Sequence, residues 1–131
     1  MSTYVNRGGR DMAEIRIGEV EMKFAQLIWD NEPLSSGELV KLSESELSWK
    51  KSTTYTVLKR LCEKGIFQNE NGIVTSKVSY EDFQSRQSEQ FVEEAFKGSL
   101  PKFVAAFCSK NKLSAKEVEE LQRIIKESQS K

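Results

Sequence analysis

The chain contains no histidine among its 131 residues and only two cysteines, Cys62 and Cys108. Without histidine there can be no Ser-His-Asp triad, no Cys-His pair and no histidine-containing zinc site. Two cysteines so far apart make neither a disulfide framework nor a cysteine-rich metal cluster, and unpaired thiols suit a reducing cytoplasm. No apolar run reaches the roughly 18 residues of a membrane span, and no signal-peptide pattern opens the chain. We therefore expect a cytoplasmic protein without a metal centre.

Patterns typical of enzymes are also missing. The acidic pairs Glu93-Glu94 and Glu119-Glu120 lie in strongly helical segments. Neighbouring side chains on a helix diverge by about 100°, so the two carboxylates of each pair do not face one another. The seven glycines form neither GxGxxG nor GxxxxGK followed by Ser or Thr, the patterns that bind nucleotide phosphates. We therefore expect that the protein is not an enzyme and needs no cofactor.

The N-terminal half is predicted to form a winged helix-turn-helix domain over residues 13–79, after a disordered leader or expression remnant at residues 1–12. A row of apolar residues predicts an amphipathic helix that begins near Glu19 and is stopped by Pro33. The run Ser35–Glu38 fits a capping box at the start of a second, short helix. The apolar row of the first helix consists of Val20, Phe24, Leu27 and Ile28.

A third helix is predicted to begin near Ser52 and to stop at Gly65, and a β-hairpin follows it. The predicted strands, Ile66–Gln68 and Ile73–Val78, flank an Asn71-Gly72 turn, which is a strong hairpin signal. The order of helix, helix, helix and hairpin is that of a winged helix. The apolar face of the third helix carries Thr54, Val57, Leu58 and Leu61.

Residues 80–131 are predicted to form a helical dimerisation domain. Ser79 can cap a long helix over residues 80–97, Gly98 breaks it, and Ser114 opens a capping box for the last helix. Small domains rarely bury so much apolar surface alone, so we expect a second subunit to cover it. The predicted dimer contacts are Phe91, Phe96, Leu100, Phe103, Val104, Phe107, Leu121, Ile124 and Ile125.

Basic charge is concentrated on the third helix. The whole chain is neutral, with 20 Lys and Arg against 20 Asp and Glu. Residues 50–64, however, contain five basic residues and one acidic residue, a net charge of +4. A helix with one apolar face and an opposite face that is basic and rich in hydroxyls is typical of an element that enters the DNA major groove. The predicted DNA-binding residues are Lys50, Lys51, Ser52, Thr53, Tyr55, Thr56, Lys59 and Arg60.

Several stretches of the chain resemble the penicillinase repressor family of bacterial transcription regulators. Glu19–Glu21 followed by Leu27–Trp29 is similar to the family's first-helix signature. The run Leu47–Gly65 carries the densest match and has no gap. Gly98–Leu100 and Leu113-Ser114 match the dimerisation half. The resemblance covers nearly all of the chain beyond the leader.

This resemblance implies a homodimeric repressor, each winged helix of which reads one half of a palindromic operator in double-stranded DNA. The four residues Ser52, Thr53, Tyr55 and Thr56 would lie nearest the bases. The four basic residues of the predicted set would mainly contact phosphates, which supply affinity but little sequence information. Trp49 aligns with the family's tryptophan, for which we expect a packing role.

The resemblance also implies a second partner, a membrane-bound sensor protease that cuts such repressors before a Phe in the dimerisation helices. The aligned bond joins Ala106 and Phe107 and is a candidate cleavage site. Family members typically have Asn before this Phe, so packing in the helical core is the alternative role of Phe107. The copper-responsive branch carries a C-terminal CxC motif that the tail of this chain lacks.

Two other functions stay open at this point. The winged helix could serve as a protein-interaction module, an alternative favoured by the zero net charge and by a wing in which Lys77 is the only basic residue. The chain could also be a small-molecule-gated regulator with an aromatic pocket. The aromatic residues available for such a pocket are Phe83, Phe91, Phe96, Phe103 and Phe107.

Overall fold

The computed structural model describes residues 15–130, so the predicted leader at residues 1–12 lies outside the described residues. The described chain forms two compact units, over residues 15–90 and 91–130. Its mainly α architecture with a small antiparallel sheet confirms the predicted fold class. The elements are α1 (Glu19–Asn31), β1 (Leu34–Ser35), α2 (Ser36–Leu47), α3 (Lys51–Glu63), β2 (Phe67–Glu70), β3 (Ile73–Ser76), α4 (Tyr80–Phe96), α5 (Leu100–Cys108) and α6 (Ala115–Gln129).

The start of α2 confirms the predicted capping box. The Ser35 hydroxyl accepts a hydrogen bond from the Glu38 amide (3.0 Å), and the Glu38 carboxylate accepts one from the Ser35 amide (3.0 Å). Two amide groups that the helix cannot pair are thereby satisfied. Helix α1 ends at Asn31, shortly before Pro33, as predicted.

The sheet has the antiparallel order β1-β3-β2. Leu34 of β1 pairs with Val74, a pairing missed by the sequence analysis because two residues are too few to show an alternating pattern. The hairpin turn is confirmed: Asn71 (φ 53°) and Gly72 (φ 80°) both adopt the left-handed conformation that a tight hairpin requires. The strand bounds differ from the prediction, because β2 continues to Glu70 and β3 already ends at Ser76.

The core of this unit lies between the three helices and the sheet. Phe24, Leu39 and Leu61 are fully buried, one from each of the first three helices, and Val74 adds a side chain from the sheet. Val20 was predicted to share the apolar face of α1 but is 53% exposed, because it lies in the first turn, one turn beyond the buried part of the row.

Trp29 connects α1 to the start of α4. Its indole Nε1 donates a hydrogen bond to the Val78 carbonyl (3.0 Å). Its ring centroid lies 5.2 to 5.3 Å from the rings of Phe67, Tyr80 and Phe83. Such tilted aromatic contacts add stabilisation beyond the area that they bury. The beginning of α4 is therefore part of the winged-helix unit.

The unit over residues 91–130 contains the end of α4 together with α5 and α6. Ser99 caps α5, and Ser114 opens the predicted capping box of α6. Phe91, Phe96 and Phe103 form an edge-to-face cluster with ring centroids 5.5 to 6.0 Å apart. Even so, neither α5 nor α6 contains a buried residue. No helix in the described chain is long and apolar enough to span a bilayer.

Candidate nucleic-acid interface

Helix α3 separates its residues cleanly into two faces. Thr54, Val57, Leu58 and Leu61 are buried. At 100° per residue these four lie on one side, and Ser52, Thr56 and Lys59 project near the middle of the other. The structure brings all the predicted DNA-binding residues together on or beside this outward side. The exposed set is Lys50, Lys51, Ser52, Thr53, Tyr55, Thr56, Lys59 and Arg60.

Three of the basic residues at this surface are free to meet an anion. Within residues 15–130, Lys50, Lys51 and Lys59 make no ion pair. Lys50 precedes the helix as its N-cap residue, and Lys59 lies two turns farther along on the exposed side. Positive charge is therefore distributed along α3. A helix bound in a DNA groove needs such a distribution to contact the phosphates beside it.

Tyr55 connects α3 to its neighbours. Its side chain is 37% exposed, and its hydroxyl donates a hydrogen bond to the Ser36 hydroxyl (3.3 Å) at the start of α2. The Ser36 amide in turn donates to the Gly72 carbonyl (2.8 Å) in the hairpin turn. One chain of contacts therefore links α3, α2 and the wing, and the aromatic ring lies at one edge of the exposed face of α3.

Two other side chains near the start of α3 make contacts inside the protein. The Thr56 hydroxyl donates to the Ser52 carbonyl one turn earlier (2.9 Å), which leaves its oxygen lone pairs outward. Trp49 is half-buried, with its ring centroid 5.1 Å from that of Phe24. This contact favours the expected packing role of Trp49.

Arg60 and Lys64 lie at the opposite edge of α3, against Glu21 of α1. The Glu21 carboxylate lies 3.2 Å from Nη1 of Arg60 and 3.7 Å from Nζ of Lys64. It also accepts a hydrogen bond from the Gly18 amide (2.9 Å). That amide is the largest cause of a lowered pKa at Glu21; burial opposes it, and the two cations add to it. Sequence reasoning missed this cluster because 39 residues separate Glu21 from Arg60.

Replacing Glu21 with Gln is expected to lower the free energy of unfolding at pH 7 by up to about 1 kcal/mol, since these cations are partly exposed and screened. The folded pKa lies below the ordinary value of 4.5. The carboxylate therefore stabilises the fold above about that pH and loses its contribution as the pH falls through the lowered pKa. Urea denaturation of both proteins should show a difference at pH 7 that disappears near pH 3, and an equal difference at both pH values would contradict the assignment.

The wing adds little positive charge. Within residues 65–79, Lys77 is the only basic residue, and Glu70 lies beside the turn. Ile73, at the start of β3, is 46% exposed. The positive charge of this unit is therefore concentrated on α3 and the lysine that precedes it.

A large apolar surface lies in the other unit. Several predicted dimer residues on α4, α5 and α6 are 42 to 58% exposed, whereas Phe96 and Phe103 are half-buried. A groove of about 340 Å³ runs between α5 and α6, lined by Phe103, Phe107, Leu121 and others. Val118 belongs to the same surface and was omitted from the predicted set, although its helical spacing from Leu121 indicated it. The most exposed members are Phe91, Leu100, Val104, Phe107, Leu121, Ile124 and Ile125.

The five phenylalanines considered for a ligand pocket are divided between the two units. Phe83 is buried against Trp29 in the unit over residues 15–90. Phe91, Phe96 and Phe103 instead pack on one another, and Phe107 lines the groove between α5 and α6. Among the described residues there is no group of three or more metal-ligating side chains.

Comparison with known proteins gives one family. The family model described as penicillinase repressor matches residues 17–127. The penicillinase repressor of Bacillus licheniformis is 25% identical over 86% of this chain and 91% of its own length. The methicillin resistance regulatory protein MecI of Staphylococcus aureus (strain Mu50 / ATCC 700699) is 28% identical over 88% of this chain and 97% of its own length. The penicillinase repressor of Staphylococcus aureus is 24% identical over 86% and 92%, respectively.

Proposed function

Because the chain belongs to the penicillinase repressor family, as its motifs predicted, we propose that it is a transcriptional repressor that binds a palindromic operator as a homodimer. Its similarity to curated repressors extends over nearly their full length, so both the winged-helix unit and the helical unit have counterparts in them. The function requires a DNA-reading surface in the first unit and a self-association surface in the second.

The exposed face of α3 is the observation that carries this proposal. Ser52, Thr53, Tyr55 and Thr56 present hydroxyl groups and one aromatic ring, which can form hydrogen bonds and apolar contacts with base edges. The lysines at 50, 51 and 59 surround them with unpaired positive charge that suits phosphates. The apolar opposite face fixes α3 on the core, so these side chains are held outward on a rigid support.

The apolar surface of α4, α5 and α6 supports the homodimer. An exposed apolar patch this extensive is unusual for a monomeric protein and typical of an interface. A second copy of the chain offers the same patch, and a two-fold axis would match it to itself. The same axis would relate the two α3 helices, which accounts for a palindromic operator whose half-site centres lie about 34 Å or a multiple apart.

Phe107 fits this interface better than it fits a protease site. Its side chain is 50% exposed, and the Ala106–Phe107 bond lies inside α5. Proteolysis favours exposed, locally unfolded segments, so cleavage here would need α5 to open first. We therefore assign Phe107 to the dimer contact. Cleavage by a membrane-bound sensor protease is the second candidate role, favoured by the exposure of this bond in the single chain. Controlled proteolysis separates the two roles, because a dimer contact at Phe107 would protect the Ala106–Phe107 bond in the dimer and leave it accessible in the monomer.

The experiment that tests the function is selection of bound duplexes from a random DNA pool, followed by titration of the selected duplex at two salt concentrations. We expect a palindrome bound by two chains, with affinity that falls steeply as salt rises. A pool that shows no enrichment, with only weak salt-sensitive binding, would contradict the proposal. That outcome would favour a winged helix that binds another protein or is gated by a small molecule.

Replacing Lys59 with Ala is expected to reduce the salt dependence of binding by one phosphate contact. The slope of log K against log salt should become shallower by about 0.9, equally for the selected duplex and for random DNA. Fluorescence anisotropy at four salt concentrations measures it. Lys110, an exposed lysine between α5 and α6, supplies the matched control as Lys110→Ala. An unchanged slope for Lys59→Ala would mean that Lys59 contacts no phosphate.

A further inference from the structure

The contact between α1 and the end of α3 leaves fewer cations for DNA than the sequence indicates. Five basic residues lie between positions 50 and 64, yet two of them, Arg60 and Lys64, share the carboxylate of Glu21. Lys64 is held a second time, because its ammonium group donates to the Arg16 carbonyl (2.6 Å). These contacts fix both side chains on the edge of α3 that faces α1. We call Glu21, Arg60 and Lys64 the Glu21 cluster.

The direction of these side chains separates them from the middle of the exposed face. On a helix with 100° per residue, Arg60 and Lys64 project about 80° and 120° away from Ser52. Tyr55 lies at the opposite edge and contacts α2 through Ser36. The two edges of α3 are therefore tied to different helices, and the residues near the middle of the face carry no such tie to α1 or α2.

A carboxylate and a DNA phosphate compete for the same donors. Glu21 is only 17% exposed, and its capping bond to Gly18 holds it in place, so it engages Arg60 without further ordering. Each cation that contacts phosphate strengthens binding to every DNA sequence alike, since phosphates carry no sequence information. Withholding two cations therefore weakens non-specific binding without removing any base contact.

We propose that Glu21 is a positioning residue of the DNA-reading helix, which holds Arg60 and Lys64 away from DNA phosphates and so lowers the sequence-independent part of the affinity for DNA. This inference rests on the proposed repressor function. It changes the role of Arg60 expected from the sequence, from a phosphate contact to a contact between helices. It also predicts that Glu21 lowers the affinity for random DNA, whereas a merely structural ion pair would leave that affinity unchanged.

The test compares Glu21→Gln with the matched control Glu19→Gln. Both variants remove one negative charge from the first turn of α1, but Glu19 is exposed and takes no part in the cluster. Gln at position 21 can still accept the Gly18 amide, so the capping bond is retained. Binding is measured on the selected duplex and on random DNA at several salt concentrations.

For random DNA we expect Glu21→Gln to steepen the salt slope by about one to two units and to raise affinity about five- to tenfold for each released cation at 0.1 M salt. The selected duplex should gain by about the same factor, because a phosphate contact is available on either DNA. Glu19→Gln should change neither slope. A Glu21→Gln slope equal to that of Glu19→Gln, or a gain confined to the selected duplex, would overturn the inference.

The variant Arg60→Gln provides an independent test of the same proposal. In the otherwise unchanged chain it should leave the salt slope as it is, whereas in the Glu21→Gln background it should remove about one unit of the gained slope. A slope that becomes shallower with Arg60→Gln alone would identify Arg60 as a phosphate contact and sink the proposal. If the unmodified chain itself binds no DNA, the repressor function fails, which is a result distinct from either of these.

Discussion

Replacing Ile125 with Glu should convert the dimer into a monomer and weaken operator binding by about 100-fold or more. Ile125 is 58% exposed in the single chain, and it lies on α6, which has no buried residue. The substitution should therefore leave the fold of the chain intact. In the dimer it would bury an unpaired carboxylate among apolar side chains, which costs several kcal/mol.

The loss of DNA affinity follows from the coupling of two half-sites. When one subunit is bound, the dimer contact presents the second α3 at an effective concentration in the millimolar range, so the second half-site is filled without a new collision. A monomer keeps the contacts of one α3 alone, whose hydroxyl-bearing residues and lysines are unchanged. We therefore expect weak binding to a single half-site to survive in the variant.

Glu119→Gln is the control for a substitution elsewhere on α6, because Glu119 lies on the polar side of the helix, away from the row that contains Leu121 and Ile125. Analytical ultracentrifugation should give a dimer for the control and a monomer for Ile125→Glu. Circular dichroism should show equal helix content in both. A dimeric Ile125→Glu with unchanged operator affinity would move the interface away from α6 and contradict the proposed dimer.

The local features of the fold were predictable from sequence because each depends on neighbours within one or two turns. The capping boxes at Ser35 and Ser114 require only a hydroxyl and a carboxylate three residues apart, and both formed as predicted. The Asn71-Gly72 turn needs two residues that tolerate positive φ. The apolar face of α3 follows from its 3.6-residue period, as does the exposure of the residues opposite.

Features that depend on distant contacts were not predictable. The carboxylate of Glu21 meets Arg60 across 39 residues, and the hydroxyl of Tyr55 meets Ser36 across 19. Periodicity placed Tyr55 and Arg60 on the exposed side of α3 but could not distinguish a side chain that reaches solvent from one held by another helix. Strand β1 was missed for the same reason, since Leu34 becomes part of a sheet only by pairing with Val74.

Replacing Tyr55 with Ala should weaken binding to the selected duplex by about 1–3 kcal/mol and relax discrimination at one position in each half-site. The ring is 37% exposed and lies outside the buried core, so its removal leaves the apolar face of α3 in place. Alanine is also the best helix former, which protects α3 itself. The main effect should therefore appear in DNA recognition, with a smaller loss of unfolding free energy from the lost contact with Ser36.

Tyr55→Phe separates the two contributions of this side chain. It retains the ring and removes the hydroxyl that donates to Ser36, so it tests whether the link between α3 and the start of α2 orients the ring. If that link matters, Phe should lie between Tyr and Ala in affinity for the selected duplex. On random DNA all three proteins should bind equally, since no phosphate contact is changed. Equal losses on both DNAs would show that Tyr55 supports affinity without reading a base. In that case, sequence discrimination would have to come from the hydroxyls of Ser52, Thr53 and Thr56 nearer the middle of the face.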